Sequence, residues 1–370
     1  MVKKILFLPL LQLSSGHHQV ADTLAEYALR HDPSRVCQKV DLLHYGFGGL
    51  ETWISRFYLH WIRLSPGTYH WLYRRSVESA GSKSFPLYDY VFRPVFARLI
   101  ERERPDLIIC THALPSYIAH RMKIEQKLDV PVVNVYTDFF INALWGTDGI
   151  DFHLVPDAKT GQVLLQRGVP ENRIFVTGIP VHPAITPPIR RVTPCLRRPV
   201  VLITGGHLGV GGLHRLIQKL PQSGQIHYMV LCGKNKGLYE RLMKERHPHL
   251  TPVPYISCRK QMNAFYEQAD AVLTKPGGVT ISECLRKRRP VFIYGALPGQ
   301  EAYNLRHLKE SGLVFDLNET SFMSRKSWED IMMEVLRSES QLTAWNKKLD
   351  LYMGGIREQQ VEALFAHIFQ

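Results

Sequence analysis

Short apolar runs alternate along the chain with segments whose apolar positions recur every three or four residues, and the alternation occurs twice. Such a rhythm is that of buried parallel strands linked by amphipathic crossover helices. In the first half it predicts strands at Ile5 to Leu10, Leu107 to Thr111, Val132 to Tyr136, Phe152 to Val155 and Ile174 to Thr177, with helices at about Val20 to Arg30 and Ala158 to Arg167. Prolines 180, 183, 187, 188, 194 and 199 then interrupt the pattern, and their density argues for a linker over 181–199. The second half restarts with strands at Val200 to Thr204, Ile226 to Cys232, Thr251 to Ile256, Ala271 to Thr274 and Val291 to Tyr294. The expectation is an α/β protein of two Rossmann-like domains facing each other across a cleft, 1–180 and 200–370. The proline-rich stretch is then the hinge on which they close.

The densest candidate chemistry follows the strand ending at Thr274. Lys275, Pro276, Gly277 and Gly278 form a turn that lets backbone approach a ligand, and Thr280 to Leu285 begins a helix whose free N–H groups suit a phosphate. Glu283, about one turn into that helix, is a carboxylate able to accept hydrogen bonds from a ribose diol. Gly299, Gln300, Glu301 and Asn304 follow the next strand and would face the same crevice, since ligands of open parallel sheets gather at the carboxyl ends of strands. Strand-Gly-Gly-helix turns also occur where nothing binds. The second polar cluster tips the reading to a ligand site for phosphate, ribose and sugar.

Charge agrees with an anionic ligand there. The formal net charge is +13, with 20 Lys and Arg against 17 Asp and Glu in 1–180 and 26 against 16 in 181–370, so most of the excess lies in the half carrying the turn. The run Arg286 to Arg289 fits equally a solvated helix end. Neither a run of about 18 apolar residues nor a signal-peptide pattern is present, and the six cysteines have no metal or disulfide spacing, so a cytoplasmic protein is expected.

After the first strand comes Ser14-Ser15-Gly16-His17-His18-Gln19. A histidine here has an ordinary pKa near 6.5 and suits removal of a proton from an acceptor hydroxyl. Spacing alone does not choose between His17 and His18, and both also fit exposed loop histidines beside a helix start. Between Phe47 and Arg75 the chain is aromatic and basic: Trp53, Phe57, Trp61 and Leu64 share one helical face, with Arg56 and Arg63 on another. That segment suits a membrane interface or a helix packed on its own core; its place as an insertion favours the membrane. No pattern for nucleic acid accompanies it.

Taken together, Gly16 to Ala21, Tyr136-Thr137-Asp138 with Trp145, Val176 to Val181, Leu231 to Asn235, Lys275 to Glu283 and Pro298 to Glu301 resemble the monogalactosyldiacylglycerol synthase and processive diacylglycerol glucosyltransferase group of glycosyltransferase family 28. The resemblance spans nearly the whole chain and implies the GT-B fold. It implies an inverting, metal-independent transfer of a sugar from a UDP donor, as co-substrate with no cofactor, to a lipid hydroxyl by a peripherally membrane-associated enzyme. Carried over by residue, His17 is the base and Asp138 orients or charge-balances it. Gly277, Gly278 and Thr280 hold phosphate, Glu283 the ribose, and Gln300 and Glu301 the sugar. Gly205, Gly206 and Gly209, after the first strand of the second half, also approach the diphosphate. The chain departs from the family in having Ser14-Ser15 where a glycine is common and Asn142 where a histidine usually follows the Thr-Asp pair. Competing classes are a UDP-sugar 2-epimerase, which needs further acid/base carboxylates and no acceptor, and a non-catalytic lipid-binding relative, which loses donor binding.

Overall fold

The computed structural model describes residues 3–10, 16–48, 85–188, 191–205, 213, 216, 217, 220 and 223–369. The chain divides into two compact units, the first made of 1–180, 298–300 and 355–370, the second of 181–297 and 301–354.

In the first unit β1 (Lys4–Leu8), α1 (Gly16–His31), β2 (Val36–Lys39), α2 (Leu42–Phe47), α3 (Pro86–Glu103), β3 (Leu107–Cys110), α4 (Ala113–Ile124), β4 (Val132–Val135), β5 (Phe152–Val155), α5 (Ala158–Gln166) and β6 (Ile174–Val176) follow one another. The strands form a parallel sheet in the order β2-β1-β3-β4-β5-β6. Its central strands, Leu-Ile-Ile-Cys and Val-Val-Asn-Val, are buried at every position because helices cover both faces of a parallel sheet. One core joins Leu6, Leu8, Ile108, Val132 and Tyr136 of the sheet to Phe96, Leu99 and Ile118 of the helices. β1 stops at Leu8, short of the expected Leu10, because Pro9 has no N–H to offer a ladder.

The second unit holds β7 (Val200–Thr204), β8 (His227–Leu231), α6 (Lys236–Glu245), β9 (Leu250–Val253), α7 (Arg259–Gln268), β10 (Ala271–Thr274), α8 (Gly278–Arg286), β11 (Val291–Ile293), α9 (Gln300–Glu310), β12 (Phe315–Asp316), α10 (Leu317–Ser324), α11 (Trp328–Arg337) and α12 (Glu339–Gly354). Its parallel sheet runs β12-β11-β10-β7-β8-β9. Numbered within the unit that order is 3-2-1-4-5-6 read from either side of a switch between β7 and β10, the dinucleotide-binding arrangement. β9 ends at Val253 and not at the expected Ile256, again before a proline, Pro254.

Two segments outside the sheets bear on where the units end. The described part of 181–199 has no helix or strand, as its prolines dictate, yet it is fastened to the second unit: Ile185 is fully buried, Asn346 donates to the Val192 carbonyl and the Cys195 N–H to that of Leu336. It packs as part of that unit. The last helix, α13 (Gln359–Ile368), belongs to the first unit and packs on α1. Buried Arg35 lies with its guanidinium over the Phe369 ring at 4.5 Å and near Phe365 at 5.9 Å, a cation–π contact that ties this end of the chain down.

Candidate functional site

In the first sheet the strand order reverses between β1 and β3, and His17 stands at the carboxyl end of that switch point. The helix begins at Gly16, earlier than the expected Val20, so His17 occupies its first turn and not a loop. Its Nδ1 lies 2.8 Å from the Thr111 carbonyl oxygen, just past β3, and 2.8 Å from the Thr137 hydroxyl, just past β4. The His112 ring meets it edge to face at 4.9 Å. His112 is itself fixed as the N-cap of α4, where its Nδ1 accepts the Leu114 N–H. Burial lowers the His17 pKa below the ordinary value, and the Asp138 carboxylate and the Thr111 carbonyl restore only part of the loss. His112 is held well below its ordinary value by burial and by His17 beside it. Both rings are therefore neutral near pH 7.

Thr111, His112 and Thr137 were not singled out as site residues from the sequence, although Thr137 sits inside a quoted motif. The usable signal was position: Thr111 and His112 come just past β3, and Thr137 two residues past β4, at the carboxyl ends of buried strands. Asn142, where the resemblance leads one to expect a histidine, accepts the Leu144 N–H with its side-chain oxygen at 3.0 Å, closing a local turn.

In the second unit the polar groups cluster at the carboxyl ends of β7, β10 and β11. Gly277 is the N-cap of α8 and offers no side-chain cap, so the first N–H groups of the helix lack intrahelical partners. A Cβ placed on Gly277 meets nothing within 4 Å among the described residues. The space in front of the turn is open, which is what a backbone approached by a ligand requires. Asn304, fully buried in α9, donates to the Pro276 carbonyl at 3.0 Å and so braces the turn from behind. Lys275 lies 3.9 Å from Glu301, whose carboxylate also accepts the Leu297 N–H at 2.6 Å. Gln300, which with Pro298 and Gly299 is grouped with the first unit, is the first residue of α9, and Gly299 before it has a φ of 96°, which demands glycine. Thr280 is half-buried in the first turn of α8.

Glu283 is buried, 6% exposed. The Tyr266 hydroxyl donates to its Oε2 at 2.8 Å and Arg259 stands 3.6 Å from Oε1, both brought from α7. Burial pushes its carboxyl above the ordinary range, with Arg259 and Tyr266 opposing. Sequence reasoning did not find these two partners, because only the packing of α7 on α8 brings them near. Gly205 ends β7, 3.6 Å (as a built Cβ) from the Tyr294 hydroxyl. Gly206, Gly209 and the aromatic-basic residues Trp53, Arg56, Phe57, Trp61 and Arg63 lie outside the described residues.

A family model described as monogalactosyldiacylglycerol (MGDG) synthase matches residues 17–181. The chain is 38% identical over 371 residues to the uncharacterized glycosyltransferase YkoN of Bacillus subtilis (strain 168), covering 99% of this chain and 97% of the relative. It is 26% identical over 320 residues to the processive diacylglycerol beta-glucosyltransferase of Bacillus thuringiensis (strain Al Hakam), covering 85% and 82%. Among solved structures it is similar to MurG of Acinetobacter baumannii, with a TM-score of 0.58 over 99% of each chain at 15% identity. The last likeness concerns the fold alone. With two parallel six-stranded sheets covered by helices, that fold is GT-B.

Proposed function

This chain is a glycosyltransferase belonging to the monogalactosyldiacylglycerol synthase and processive diacylglycerol glucosyltransferase group of family 28, and from that premise we propose that it moves a hexose from a UDP-sugar to the hydroxyl of a diacylglycerol-type lipid, with inversion and without a metal. The observation that carries the donor half is the open space before Gly277 at the head of an uncapped helix, on the switch point of a 3-2-1-4-5-6 sheet. The N–H groups of Gly278 to Thr280 receive the donor diphosphate, to which the family resemblance also assigns Gly205, Gly206 and Gly209. Glu283 accepts from the ribose diol, held ready by Tyr266 and Arg259. Gln300 and Glu301 meet the sugar, and Lys275 adds positive charge beside them.

His17 takes the proton of the acceptor hydroxyl. The acceptor oxygen attacks the anomeric carbon from the face opposite the nucleotide, and the bond from that carbon to the diphosphate oxygen breaks in the same step. The negative charge that develops on the departing UDP falls on fixed N–H dipoles, as electrostatic catalysis requires. Asp138 balances the positive charge that His17 acquires. Contact with an anionic membrane surface is supported by the net charge of +13 and by Leu87 and Tyr90, 70% and 83% exposed at the start of α3.

Three outcomes follow. Incubation of UDP-glucose, UDP-galactose and UDP-N-acetylglucosamine with diacylglycerol liposomes should give a product heavier by one hexose for at least one donor; hydrolysis or epimerisation alone would displace the transferase reading. UDP at about a hundredfold over its Kd should stabilise the fold by about 2.7 kcal/mol, read as a rise in Tm. Because burial lowers the His17 pKa, the base stays neutral to lower pH than a free histidine. The acidic limb of kcat/KM should therefore have its midpoint below about 6.5. A midpoint above that value would assign the limb to another group.

A further inference from the structure

We infer that the Thr111 carbonyl holds the His17 ring proton on Nδ1, with Thr137 as the positioning residue that steadies the ring as second acceptor, and that Nε2 is therefore the atom that takes the acceptor's proton. This rests on His17 being the base and adds which atom acts and what selects it. A carbonyl oxygen only accepts hydrogen bonds. At 2.8 Å from Nδ1, the Thr111 carbonyl requires that Nδ1 carry a hydrogen. A neutral imidazole has one N–H, so Nε2 keeps its lone pair. Thr137 Oγ1, 2.8 Å from the same nitrogen, then accepts the second branch of that N–H, and its own proton is directed elsewhere.

The two oxygens converge because their strands are neighbours. β3 and β4 pair in parallel register, Ile108 with Val132 through Cys110 with Asn134, so the residues emerging from their carboxyl ends reach one spot. His112, edge to face against the ring and fixed as a helix cap, walls off one side. The orienting groups are thus two neutral oxygens where a serine-protease triad uses a carboxylate. When Nε2 takes the proton, Nδ1–H stays on the same two acceptors and the ring need not turn.

Substituting Thr137→Val keeps the β-branched shape and removes the oxygen; Thr137→Ser keeps the oxygen. On the full-length protein labelled with 15N-histidine, the difference between wild type and His17→Gln isolates the His17 ring signals. Wild type should show Nδ1 protonated and Nε2 bare near neutral pH, and Thr137→Val, which leaves the Thr111 carbonyl in place, should keep that tautomer with a shifted Nδ1 signal as one of its two acceptors is lost. In the transfer assay Thr137→Val should lower kcat on the order of tenfold to a hundredfold with the donor KM unchanged, and Thr137→Ser should restore most of it. If Thr137→Val fails to fold, Thr137→Ala serves with the same expectations. A His17 signal protonated on Nε2 in wild type, or an unaltered kcat in Thr137→Val, would overturn the assignment. The ring spectrum is read without substrate, so loss of the transferase reading leaves the tautomer result to stand or fall by itself.

Discussion

His17→Ala should lower turnover by roughly a hundredfold to ten-thousandfold, the usual worth of a general base, while the Kd for UDP stays unchanged. The two effects separate because His17 sits in the first unit, on Thr111 and Thr137, whereas the proposed diphosphate contacts lie in the second. His18→Ala is the control. One residue further along α1, its side chain is turned by about 100° from that of His17, since a helix has 3.6 residues per turn. It should retain turnover within a few-fold. Steady-state rates and calorimetric UDP titration on both variants check this, and full turnover in His17→Ala removes that residue from the chemistry.

Gly277→Val should weaken UDP binding by roughly tenfold to a hundredfold while leaving the protein folded. The reasoning turns on why glycine is there at all. Its backbone, φ −80° and ψ 132°, is ordinary for any residue, and an added Cβ meets no described residue within 4 Å. Neither strain nor packing demands glycine, in contrast to Gly299 at φ 96°. Beyond its favourable standing as an N-cap, glycine is explained by the proposed ligand, which needs the volume. A valine there would push the diphosphate off the helix N–H groups, and charge-assisted hydrogen bonds are worth about 1.5–3 kcal/mol each. The fold should lose no more than about 1–2 kcal/mol, from a poorer N-cap. UDP affinity equal to wild type in a folded Gly277→Val protein would mean that the diphosphate binds elsewhere.

The sequence disclosed the sheets where burial made the strands unmistakable. Leu107 to Cys110, Val132 to Val135 and Ala271 to Thr274 are runs of buried residues, apolar but for Asn134 and Thr274, because both faces are covered. It concealed the edges: Val36–Lys39 reads as a polar stretch because an edge strand is half in water, and the two-residue Phe315–Asp316 is too short for any period. The long helix Pro86–Glu103 was also missed, its apolar spacing disturbed by Pro94. At the site, residues joined by short-range turn chemistry, Lys275 to Glu283, were legible as a unit. The contacts that set their behaviour were not. Thr111 and Thr137 reach His17 across 94 and 120 residues, and Tyr266 reaches Glu283 from another helix. Such pairings are decided by strand order and helix packing, which a local pattern does not encode.

The measurement that bears most directly on the account is a crystal structure of the full chain with UDP. The diphosphate should lie within hydrogen-bond distance of the Gly278 to Thr280 amides, with the ribose hydroxyls on Glu283. UDP bound elsewhere, with that helix start facing only solvent, would contradict it.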